Sequence, residues 1–64
     1  MARADGCTVI TSREEEKIPN SVVLYEERIM LKDSIMWKFS TQYEAIRASR
    51  EFIKAGFERV QRII

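Results

Sequence analysis

The hydrophobic rhythm of the chain changes near residue 40. Before that point apolar and polar residues tend to alternate, the period of a half-buried strand. After it they recur every three or four positions, the period of an amphipathic helix. Cys7-Thr-Val-Ile-Thr-Ser12 is rich in β-branched residues and reads as a first strand. Arg13 to Lys17 is a run of charge, either a solvated extension of that strand or a loop. Pro19-Asn20-Ser21 marks a turn. The stretch 21–32 is again β-prone. Val23, Tyr25, Ile29 and Leu31 fall on one parity, and Val22, Leu24, Glu26, Arg28, Met30 and Lys32 on the other. Asp33-Ser34 supplies a tight turn. Ile35, Trp37 and Phe39 then alternate with Met36, Lys38 and Ser40, so that 21–32 and 35–40 read as an antiparallel hairpin.

Thr41 followed three residues later by Glu44 is a capping box and predicts a helix N-terminus. Beyond it Ala45, Ile46, Ser49, Phe52, Ile53, Gly56, Phe57, Val60, Ile63 and Ile64 keep helical spacing. Arg47, Arg50, Glu51, Lys54, Glu58, Arg59 and Arg62 fill the other side. Gly56 leaves two readings. The helix runs through it, at a cost of about 1 kcal/mol relative to alanine, or the glycine caps the helix and 57–64 form a last strand. Ile53, Phe57, Val60 and Ile64 keep the 3–4 spacing across the glycine, so the continuous helix is preferred. The fold class is therefore α+β. Three antiparallel strands form a sheet, with one long C-terminal helix packed on one face (βββα); βββαβ is the alternative. On the preferred reading Phe57, Val60, Ile63 and Ile64 exceed what a small sheet covers. They become the expected interface with a second subunit or a partner protein.

Length and cysteine usage sharpen that expectation. Sixty-four residues make one domain, with 1–6 as a loose N-terminus. A domain of this size buries only about 60% of the surface its unfolded chain exposes and usually needs a staple. One cysteine and no histidine give neither an internal disulfide nor a Cys/His zinc set. A homodimer or a partner protein is the staple that remains. No apolar run approaches the ~20 residues of a membrane span. With no signal-like N-terminal segment and a lone cysteine, the expected setting is cytoplasmic, with no membrane association.

Catalytic chemistry finds no footing. Cys7 has no histidine to activate it and reads as a small buried hydrophobe. Glu14–Glu16 and Glu26–Glu27 read as solvated charge. Gly6 and Gly56 are the only glycines, too few for a phosphate-cradling loop. The chain is read as non-enzymatic, with no cofactor, no metal and no small-molecule substrate. Tyr25, Trp37 and Phe39 suit a base-stacking platform in principle, but their bulk in so small a domain assigns them to the core.

Eleven Lys and Arg against ten Asp and Glu leave a net charge of +1, so no global field draws the chain to DNA. A nucleic-acid site would rest on local clusters. Arg28, Lys32 and Lys38 share the outer parity of two strands and are expected to form a basic stripe on the open sheet. Arg47, Arg50 and Lys54 line the outer side of the helix. Both sets suit phosphate contact.

The segment from Trp37 to Ala48 resembles the strand-to-helix junction of two DNA-binding modules. These are the arm-binding domain of tyrosine recombinases and the plant ethylene-response type of domain. Phe39, Thr41, Glu44, Ala45 and Ala48 match the aromatic, Thr and Glu-Ala spacing of those families. The resemblance implies a three-stranded sheet backed by a helix, with the open face of the sheet entering the major groove. Glu14–Glu16 and Glu26–Glu27 stand where those modules carry arginines and tryptophans, so the resemblance bears on fold before function. Two functions follow as expectations. The first is a small interaction or accessory protein that binds a partner macromolecule through its C-terminal helix or a sheet edge. The alternative is a DNA-binding module using the basic outer face of the sheet.

Overall fold

A computed structural model describes residues 7–22 and 25–63. It contains β1 (Thr8–Ser12), a single 3₁₀ turn (Glu15–Lys17), β2 (Glu27–Met30), β3 (Ser34–Lys38), α1 (Gln42–Lys54) and β4 (Val60–Ile63). The strands form one sheet in the order β2-β3-β1-β4, with every neighbouring pair antiparallel. The protein is α+β, and among the described residues its sheet has four strands rather than three.

Side chains of alternate residues separate the sheet into two faces. Register places Arg28, Trp37, Val9 and Arg62 in one row across the four strands, with Met30, Ile35, Thr11 and Val60 in the next. These rows face α1. Val9, Thr11, Ile35, Trp37 and Phe39 are buried there against Ala45, Ala48, Phe52 and Phe57. Trp37 is the centre. Its ring stands 5.2 Å from Tyr25 and 5.0 Å from Phe52, and Phe52 lies 5.0 Å from Phe57. Its indole N–H donates to Thr11 Oγ1 at 3.0 Å, so its one polar group is satisfied in the core. Full burial of side chains such as Phe39 and Phe52 stabilises by roughly 1.5–3 kcal/mol each.

The helix begins where the capping box predicts. Thr41 is extended, and its Oγ1 accepts from the backbone N–H of Glu44 at 3.2 Å. The Thr41 hydroxyl also donates to the Glu44 carboxylate at 3.0 Å.

The helix ends earlier than the preferred reading had it. Gly56 adopts φ +88°, a left-handed conformation that glycine tolerates and other residues resist. The Gly56 N–H donates to Ile53 O at 3.0 Å, and the Phe57 N–H donates to Phe52 O at 3.2 Å. Those two bonds, with Phe57 packed on Phe52, form a Schellman cap. The chain then reverses and adds β4 to the edge of the sheet, as in the βββαβ alternative. Ile53, Phe57 and Val60 therefore do not share one helical face. Ile53 is 63% exposed on the helix, Phe57 belongs to the cap, and Val60 points from a strand into the core. Ile64, like Val23 and Leu24, lies outside the described residues.

The long strand expected over 21–32 is also shorter. Residues 19–22 form a turn, closed by the Val22 N–H to Pro19 O at 3.1 Å, and β2 spans only Glu27–Met30. The Glu26 N–H donates to Lys38 O at 2.7 Å, while Glu27 is the register partner of Lys38. Two residues thus oppose one, a β-bulge. The bulge shifts parity, so Tyr25 lies on the same side as Arg28 rather than with Ile29.

Candidate functional site

The second face of the sheet is the more unusual surface. Its central row runs Ile29, Met36, Ile10, Gln61 across β2, β3, β1 and β4. The row beside it runs Glu27, Lys38, Thr8, Ile63. Ile10, Ile29 and Met36 are half-buried and Ile63 is 39% exposed. Leu31, just past β2, is also exposed, and its N–H donates to Ser34 O at 2.8 Å. No described element packs over this face, since α1 lies on the other. Antiparallel sheets with one solvated face ordinarily alternate apolar inward with polar outward. Here the outward set is aliphatic at its centre. Among the described residues, the ion pair on the face joins Lys38 Nζ and Glu27 Oε1 at 3.8 Å.

The expected basic stripe of Arg28, Lys32 and Lys38 does not assemble. Lys38 is on the open face, beside Glu27. Arg28 is on the helix-facing side, its guanidinium 5.7 Å from the centre of the Trp37 ring. Lys32 lies in the connection between β2 and β3. The cause is the inverted parity of β2: Arg28 pairs with Trp37, which must be inside. Trp37 and Phe39 are core residues and present no stacking platform.

Arg47, Arg50 and Lys54 do come together on the exposed side of α1, with Tyr43, which is 70% exposed, at the head of the row. Lys54 approaches Glu51 at 3.8 Å, and Glu51 also accepts from the Ser21 hydroxyl at 3.0 Å. Arg47 and Arg50 have no ion pair among the described residues. Of the described residues of the expected partner interface, Phe57 is 7% exposed, Val60 packs against the core and Ile63 reaches the open face. Among the described residues the apolar surface lies on the open sheet face and not at the helix end.

A polar cluster that sequence reasoning treated as solvated charge joins the first and last strands. The Glu14 carboxylate accepts from the Glu58 backbone N–H at 2.7 Å, from the Ser12 hydroxyl, and pairs with Lys17 Nζ at 2.8 Å. Ser12 Oγ accepts from the Arg59 N–H at 3.2 Å, and Lys17 donates to Gly56 O at 3.2 Å. The Glu58 N–H, then Lys17 and Ser12, hold the Glu14 carboxyl down at about 2, and Glu14 in turn raises Lys17. This is a clamp that holds the approach to β4. Its groups are committed to one another and to backbone groups of Gly56, Glu58 and Arg59. The sequence signal for it was Glu14 and Lys17 three apart, which any charge run contains.

Cys7 is buried, and its carbonyl accepts from the Phe39 N–H at 2.8 Å. Among the described residues no group of three His, Cys, Asp or Glu is placed to hold a metal ion. Among the described residues no helix is long and apolar enough to cross a membrane. Comparison with protein-family models, with curated proteins and with solved structures finds no match to this chain.

Proposed function

We propose that this chain is a small non-enzymatic interaction protein that binds another protein through the open face of its sheet. One observation carries the reading. Ile29, Met36 and Ile10 form an aliphatic row across three adjacent strands on the face that α1 leaves uncovered. A small sheet gains nothing for its own core from such a row, whereas a partner that covers it removes it from water at roughly 25 cal/mol per Å2. The neutral character of the face favours a protein over nucleic acid, because phosphate binding is driven by cations. A second reading, contact of a nucleic-acid backbone with Arg47, Arg50 and Lys54, is favoured by the two arginines, which have no ion pair among the described residues.

A photo-crosslinking residue placed at Met36 or at Arg50 in the producing cells tests both. Crosslinks to protein from position 36, with few from position 50, support the first reading. Crosslinks to nucleic acid from position 50, with none to protein from 36, replace it by the second.

A further inference from the structure

We infer that the occupant of the open sheet face is a second copy of this chain, seated face to face about a two-fold axis. The inference rests on the reading of that face as the binding surface, and it adds the identity of the partner.

Charge is the first ground. Glu27 and Lys38 neutralise one another within the face at 3.8 Å. The positions around them are aliphatic or small and polar: Ile10, Ile29, Met36, Ile63 and Thr8. A strongly acidic or basic partner finds no counter-charge there. A copy of the same surface meets no like-charge repulsion.

Pattern is the second ground. A two-fold axis along the strands, in the plane of the face, superposes the order β2-β3-β1-β4 on its reverse. β3 then lies over β1 of the second copy, Met36 meets Ile10, and Ile10 meets Met36. That is an isologous contact, apolar on apolar at its centre, while the outer strands seat Ile29 over Gln61 and Glu27 over Ile63. The product is two sheets packed as a sandwich, with the helices outside.

Size sets how tight the dimer is. With strands ~4.8 Å apart and ~3.4 Å of rise per residue, two strands of five residues and two of four span ~300 Å2 in projection. Standard interfaces bury about 800 Å2 per partner. The dimer is therefore weak and exchanging, populated by concentration.

Sedimentation equilibrium of the full chain over a dilution series tests this. The mass should climb from 7.5 kDa toward twice that value as concentration rises. Met36→Lys and the milder Ile10→Thr should each weaken association at least tenfold, as roughly judged from losing a central isologous contact. Ile53→Lys, on the exposed side of the helix, should leave association unchanged. Circular dichroism of each variant checks that the fold is intact. A mass that stays at 7.5 kDa up to millimolar concentration overturns the inference. So does a dimer that survives Met36→Lys but is abolished by Arg62→Pro, because Arg62 turns its N–H away from β1 to the free edge of β4 and such a dimer pairs through that edge. The two levels separate cleanly. A monomeric chain that still crosslinks another protein from position 36 removes the second copy and leaves the binding face; loss of both results removes both.

Discussion

At the scale of single residues, Glu14 is the side chain whose environment departs most from its sequence appearance. It sits in a run of three glutamates, yet it alone accepts from the Glu58 N–H, Ser12 and Lys17. Its carboxyl is held at about 2, below an ordinary value of 4.5. A group depressed in the folded state lends stability above its unfolded value and loses it as pH falls toward the folded one. The contribution of Glu14 is therefore present above about pH 4.5 and fades toward about pH 2. Lys17, raised by the same pair, lends stability up to its ordinary 10.5 and loses it only at higher pH. Glu14→Gln should lower the urea midpoint at neutral pH. The gap to the parent should close as pH drops through that acidic window. A gap that stays constant from pH 7 to about pH 2 would mean the carboxylate charge plays no part. The partner of Glu14 lies 44 residues away, which is why its role was not legible. By contrast, Trp37 and Phe39 were legible as core from bulk alone, and Cys7 as a buried small hydrophobe.

At the scale of elements, local signals were read correctly and long-range ones were not. The first strand, the Pro19 turn, the strand carrying Trp37 and the Thr41 cap all depend on neighbours within four residues. Thr41, Glu44, Ala45, Ala48 and Phe39, which carry the family resemblance, serve that junction through capping and packing. The β2 parity depends instead on a bulge opposite Lys38, and the helix end depends on where the chain goes after it. The energetic sign at Gly56 separates the two readings of the helix. In a continuous helix, Gly56→Ala stabilises by about 1 kcal/mol. At φ +88° the same change destabilises by about 1 kcal/mol, because an L-residue resists the left-handed region. An added Cβ meets nothing within 4 Å, so the cost is backbone strain alone. Chemical denaturation of Gly56→Ala, with Gly56→Asn expected to lose less, reads that sign directly.

At the scale of the whole molecule, the fourth strand changes where the surplus apolar surface lies. Helical continuity would have left Phe57, Val60, Ile63 and Ile64 as the surplus apolar surface. The Schellman cap takes Phe57 into the core, and β4 takes Val60 there too. The surplus is then the aliphatic row of the open sheet, and the cations once assigned to that sheet are divided between its faces and a loop. Which face a residue occupies was the illegible part, because one bulge inverts it. The molecule that results has a neutral apolar side and, opposite it, a helix carrying Arg47, Arg50 and Lys54. Methyl-labelled isoleucine and methionine report both sides in one NMR sample, since Ile10, Ile29, Ile63 and Met36 line the sheet while Ile46 and Ile53 lie on the helix. On raising the protein concentration, the sheet methyls should shift and broaden while the Ile46 and Ile53 methyls stay fixed. Helix methyls that move while the sheet methyls remain still would contradict the account.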